Sequence, residues 1–254
     1  MELYQYVIAI VGGAIAGGIN TLAGNGSAIT LTILTEVIGL PGNLANGTNR
    51  VGVFTQSAAG SWAFHKHGKL NFARSKLNIM LTVSGALVGV AVAVNVSNAQ
   101  FLFVFKYLML LMFLVLLVKP KRWLKETTED AKVSVWLAIP LYLALGFYGG
   151  FIQMGMGIFY LATMVLVAKY SIIEGNALKS FVVALYTLIV LGIFHSKGLI
   201  SWDVGLVLAI GQTAGGWYTA KFASKHPKAN VVAYWVLIII VVLALLKLFG
   251  LIEF

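Results

Sequence analysis

Cysteine is absent from the 254 residues. That excludes a disulfide framework, a thiolate nucleophile and a cysteine-ligated metal. Charge is almost as scarce: Asp, Glu, Lys and Arg make up 10% of the chain, with only 8 acidic residues, against about 25% charged in a soluble domain. In their place stand 60% hydrophobic residues and a mean hydropathy of +0.93. A soluble fold of this size lacks the interior to hide so much apolar side chain. An ordinary cytosolic enzyme, a disordered chain and a nucleic-acid binder are therefore excluded, and a polytopic membrane protein remains. The net charge of +10 then reads as basic residues collected in cytoplasmic loops rather than as a polyanion-binding face. Met1 to Tyr6 carries Glu2 and no Lys or Arg, so no signal-peptide n-region is expected.

Apolar runs long enough to span alternate with short polar breaks. Tyr4 to Ala23 is the first, ended by the helix breaker Gly24-Asn25-Gly26-Ser27. Ala28 to Leu40 is too short to span comfortably. After Pro41-Gly42-Asn43 come Asn46 to Phe64, Leu77 to Val96 and Phe101 to Val118. The second half follows the same plan. Val133 to Met154 breaks at Gly155-Met156-Gly157, and Ile158 to Ala168 is short again. Asn176 to Phe194, Val204 to Phe222 and Val231 to Phe249 complete it. The expected organisation is an N-terminal transmembrane repeat over 1–118, a cytoplasmic linker over 119–132 and a C-terminal transmembrane repeat over 133–254, packed as one unit.

Local matches support the repeat. Phe64-His65-Lys66-His67-Gly68 matches Phe194-His195-Ser196-Lys197-Gly198, and Gly85-x-x-x-Gly89 matches Gly211-x-x-x-Gly215. Arg50 aligns with Lys179 if one residue is skipped. Five passes per half, counting the short segment as one, invert the second half relative to the first. With both termini outside, the inner loops and Lys169 hold 13 of the 18 basic residues, as the positive-inside rule demands. The expected fold is thus an all-α polytopic membrane protein of two inverted-topology repeats. Each has four long segments plus a short broken helix, about 8–10 membrane segments in all.

Inverted repeats with broken helices point to secondary transport, with substrate held where the breaks meet. The polar residues gather there. Asn20, Asn25, Gly26 and Ser27 surround the first break, and Gln153, Gly155 and Gly157 the second. Asn46, Thr48, Asn49 and Arg50 cluster in one helix turn, with Asn176 and Lys179 in its counterpart. A cation inside the membrane is costly and faces a pathway or a partner. Arg50 offers a fork for an oxyanion and Lys179 a point charge. Simpler roles stand beside these. Arg50 fits snorkelling to the interface, and Lys179 fits pairing with Glu174 or lipid headgroups. The asparagines fit helix caps or interhelical bonds. The Gly-x-x-x-Gly faces fit close helix packing, within the chain or across a homodimer.

The glycine-rich break after the first helix, Leu40-Pro41, Ala45-Asn46-Gly47-Thr48-Asn49-Arg50 and the helix ending Phe64-His65-Lys66-His67-Gly68-Lys69-Leu70 resemble the TauE/SafE family of sulfite exporter-like permeases. The likeness covers nearly the whole chain. Members often carry three consecutive glycines and a nearby proline at the first break; here it is Gly24-Asn25-Gly26-Ser27. The resemblance implies transport of a small sulfur-containing anion: sulfite, thiosulfate, a sulfonate or sulfoacetate. It fixes neither direction nor coupling. No G-x-x-x-x-G-K-[ST] occurs, so ATP hydrolysis is not expected. Coupling to H+ or Na+, or facilitated diffusion, remains. The expected partners are the anion and the bilayer of a prokaryotic inner membrane; no cofactor, metal or nucleic acid is expected. An anion channel is the alternative. An intramembrane enzyme or binding subunit is a distant one, because no nucleophile–base pair or metal-ligand motif is present.

Overall fold

A computed structural model of the chain describes residues 2–72, 75–93, 133–151 and 153–251, together with residues 110, 113, 114 and 117. Every regular element among the described residues is helical. The expected span from Phe101 to Val118, apart from those four residues, and the linker over 119–132 lie outside the described residues.

Glycine and proline set the helix boundaries. α1, Leu3–Ala23, stops at Gly24, whose φ of 81° only glycine adopts freely. The chain restarts at once as α2, Gly26–Thr32, which widens over Ile33–Val37 into a π turn closed by Ile38 N–H donating to Ile33 O at 3.0 Å. The break is therefore only Gly24 and Asn25, narrower than the glycine pattern predicts. Gly39, at φ 81°, ends this segment. α3, Gly42–Lys66, begins directly after Pro41, four residues ahead of the expected start, because the proline ring already holds the φ a helix start requires. α4 follows at Lys76–Ala93.

The second half repeats these elements. α5 is Val135–Phe151, and α6, Met156–Ala162, continues into a second π turn over Thr163–Val167. α7 is Ile172–Ser196, α8 Trp202–Lys225 and α9 Ala229–Leu248. α6, its π turn and α7 start and end 130 residues after α2, its π turn and α3. The stops recur at the same offset. Lys169 (φ 61°) stands where Gly39 stood, and Gly198 (φ 66°) where Gly68 (φ 67°) stood. The Phe-His-x-x-Gly likeness read from the sequence is this helix stop: Lys69 N–H donates to Phe64 O at 3.0 Å and Leu199 N–H to Phe194 O at 2.9 Å. Counted from the helix starts, Arg50 is level with Ser180 and Asn49 with Lys179. The one-residue skip that aligns Arg50 with Lys179 is thus not present.

Small residues decide how the helices lie. A Cβ on Gly211 or Gly215 would overlap the carbonyls of Ile10 and Ala14, and one on Gly85 or Gly89 those of Leu143 and Phe147. Both Gly-x-x-x-Gly faces therefore pack within the chain, α8 along α1 and α4 along α5, each pair running parallel. The start of α3 at Gly47 meets Phe194 and Leu199 at the end of α7, while Gly60 lies by Ser180 near its beginning, so α3 and α7 run antiparallel.

α1 and α7 are long and apolar enough to cross a bilayer. α7 is mostly buried at the centre; α1 has less than half of its span covered. α3 and α8 have the length, 25 and 24 residues, but carry more polar side chains, buried against one another. Trp136, 88% exposed, lies at the start of α5, and Trp202 at the start of α8, where interfacial tryptophans are expected.

Candidate functional site

The two breaks touch. A Cβ on Gly24 would fall 2.8 Å from Ile158 N and against the backbone of Gly157; one on Gly157 would meet Gly24 O at 2.9 Å. Only glycine at both positions allows this approach. Asn25 and Gly155 precede α2 and α6, and neither caps its helix through a side chain. Gly26 is pressed on Ala16 O and the Cβ of Asn20.

A helix that stops inside a protein leaves its last carbonyls unpaired, at the negative end of its dipole. Each broken helix has some of these oxygens engaged from the other half of the chain; Asn20 O also accepts from the Gly24 N–H at 3.0 Å. At the end of α1, Lys179 Nζ donates to Asn20 O at 2.7 Å and Thr21 O at 3.1 Å, and Asn176 Nδ2 donates to Leu22 O at 3.0 Å. Lys179 also donates to Asn176 Oδ1 at 2.6 Å. At the end of α5, Arg50 Nη1 and Nη2 each donate at 3.3 Å, to Gly149 O and Gly150 O. Arg50 is 0% and Lys179 4% exposed. Neither is paired with a carboxylate among the described residues; Lys179 meets carbonyl and amide oxygens rather than Glu174. Arg50 has no exposure through which to snorkel. Its guanidinium lies 5.6 Å from the Phe194 ring centroid, and its Nε has no partner.

Beside the Gly24–Gly157 contact is a small cavity of about 10 Å³, room for about one water molecule. Of the residues singled out from the sequence, Asn20, Gln153, Gly157 and Lys179 line it. Gln153 is buried with φ 62°, and neither atom of its side-chain amide has a partner. Buried amides are normally satisfied, so an unpaired one facing a cavity marks a place for a polar ligand. Arg50 stands behind this wall. Tyr186 lines the cavity, and its hydroxyl would sit 3.0 Å from a Cβ on Gly149, whose carbonyl Arg50 holds.

Other polar residues of the same turn do different work. Asn49 Oδ1 accepts from Thr30 Oγ1 at 2.6 Å and Gln212 Nε2 at 3.2 Å. Thr48 Oγ1 accepts from Ser201 N–H at 2.9 Å, tying α3 to the start of α8. Ser27 is buried, and its carbonyl accepts from Thr30 at 3.2 Å; Asn46 is half-buried one turn before Arg50. Gln56, Ser57, Ser180 and Tyr186 line the cavity; Ser180 directly follows Lys179, and the other three lie about two turns along α3 and α7 from Arg50 and Lys179. Gln56 sits six residues after Arg50, and its Oε1 accepts from Asn20 Nδ2 at 3.3 Å; a polar side chain recurring along a membrane helix was the signal for it.

Broken helices in contact, buried cations and a polar cavity define a helical membrane protein built around a central polar site. The family model for the sulfite exporter TauE/SafE matches residues 9–248, and the chain belongs to this family; it is a membrane transporter. It is 23% identical over 224 residues, 88% of this chain and 85% of the relative, to the "Probable membrane transporter protein ORF9" of Sinorhizobium sp. No solved structure matches.

Proposed function

We infer that the protein is a secondary carrier of a small sulfur-containing anion such as sulfite, thiosulfate, a sulfonate or sulfoacetate. It works by alternating access between two inverted repeats in the inner membrane. The observation that carries this reading is the pair of buried cations unpaired with carboxylates among the described residues, Lys179 lining a polar cavity and Arg50 behind its wall. Burying a cation without a counter-charge is costly. The helix C-terminal dipoles offset part of that cost, and an anion between the two would offset more. Gln153 then supplies a donor that is otherwise unused.

The antiparallel course of α3 and α7, with the recurrence of elements at one offset, supports the inverted arrangement. So does the exchange of helix caps between halves. The cavity, sized for one water, supports a carrier over a static pore: an anion enters only when the halves part. Sulfite binding to purified protein by calorimetry tests the reading, with thiosulfate, sulfate, taurine and chloride as comparators. Saturable binding of one sulfur anion is expected. Binding by none of them in folded protein, or equal binding of chloride, overturns it.

A further inference from the structure

In secondary carriers, freed backbone carbonyls and half-helix C-terminal ends are the usual ligands of a coupling cation, because they combine unpaired oxygens with a negative dipole end. In this chain those oxygens are already engaged. The three donors of the Lys179 ammonium meet Asn20 O, Thr21 O and Asn176 Oδ1 at 2.6–3.1 Å, which exhausts its bonding capacity. Asn176 is held in place by its own bond to Leu22 O. The ammonium therefore sits in a cradle of neutral oxygens, the kind of ligand set that suits a hard cation. No carboxylate contributes, so the cradle matches a monovalent charge. At the other break the carbonyls of Gly149 and Gly150 are held by Arg50.

We propose that Lys179 is a resident cation: its ammonium fills the site at the end of α1 that a coupling Na+ would otherwise occupy. The anion is then bound without Na+, and removing the side chain opens a site for an alkali cation. The proposal deepens the carrier reading by assigning its cation requirement, and it rests on that reading only for the word coupling. The cradle itself is read from the distances.

Thermal unfolding of the full chain in detergent tests it without any anion substrate, in Na+ against N-methylglucamine at constant ionic strength. The wild-type midpoint is expected to be the same in both. Lys179→Ala is expected to unfold at a lower temperature in N-methylglucamine and to gain a saturable rise of about 2–4 °C as Na+ fills the vacated cradle. Lys179→Met, which fills the space with an apolar chain, is expected to show no such rise. A Na+-dependent midpoint in the wild type overturns the proposal, and so does a folded Lys179→Ala that unfolds at one temperature in both salts. If Lys179→Ala does not fold, the wild type decides: an unchanged midpoint and unchanged anion affinity in the two salts support the proposal, and a tenfold gain in Na+ overturns it. A wild type that binds no anion while both variants follow the expected cation pattern would sink the carrier reading and leave the resident cation standing.

Discussion

Arg50 and Lys179 each hold oxygens at the end of a broken helix, with different grips. Lys179 uses all its donors at 2.6–3.1 Å; Arg50 makes two bonds of 3.3 Å and leaves Nε unpaired. The guanidinium is the one with spare capacity for an oxyanion. Arg50→Ala is expected to weaken anion binding at least ~10-fold and, because it strands two buried carbonyls, to cost about 1–3 kcal/mol of stability. Arg50→Lys, which keeps the charge but not the fork, falls between the two. Calorimetry and thermal unfolding read these separately; full affinity in folded Arg50→Ala would remove Arg50 from the site. Gln153 gives the opposite signature. Its φ of 62° is a strained conformation for a side-chain-bearing residue, so Gln153→Gly is expected to stabilise the protein by about 1 kcal/mol. It should also lower anion affinity ~10-fold, through loss of one charge-assisted bond. A stabilised variant that still binds the anion as tightly would show that the glutamine serves no ligand.

At the scale of the helices, glycine governs both where they stop and how closely they pass. Gly24 and Gly157 bring the two breaks into backbone contact. Gly157→Ala is expected to cost about 1–3 kcal/mol by overpacking and to abolish transport, measured by thermal unfolding and by anion uptake into vesicles. An active, equally stable variant would mean that the breaks need not touch. The helix-stop role of Gly68 and Gly198 was legible as a repeated motif, and the small-residue packing faces as Gly-x-x-x-Gly. The start of α3 is less legible, because Pro41 fits a break as well as a helix entrance and only the fold puts the first turn directly after it. Like charges in like helices suggest a pairing of Arg50 with Lys179 that the fold does not keep. Register is fixed instead by the common starts and stops of α3 and α7, which put Asn49 level with Lys179.

For the whole molecule, the inverted arrangement proposed above predicts opposite sidedness for equivalent loops. Lys66 and Lys197 are both exposed just past the last turns of α3 and α7 or within them. The chain contains no cysteine, so Lys66→Cys and Lys197→Cys are single-cysteine probes in an otherwise unlabelled background. With a membrane-impermeant thiol reagent, position 197 is expected to react from outside intact cells and position 66 only after permeabilisation. Labelling of both from one side would overturn the inversion and the placement of the termini with it.

Composition alone determined that this chain belongs in a bilayer, because 60% hydrophobic residues with 10% charge have no other solvent in which to fold. Local pattern then determined helices, breaks and the doubled plan, since these depend on neighbours in the chain: a glycine, a proline, a run of apolar side chains. Tertiary structure alone decided what the buried cations do. Lys179 meets the end of α1 across a separation of 159 residues, and Arg50 the end of α5 across 99 and 100. No local pattern encodes such a pairing. It arises because a helix stopped inside a membrane protein must have its last carbonyls satisfied by protein, and the fold brings a cation from the opposite half to each.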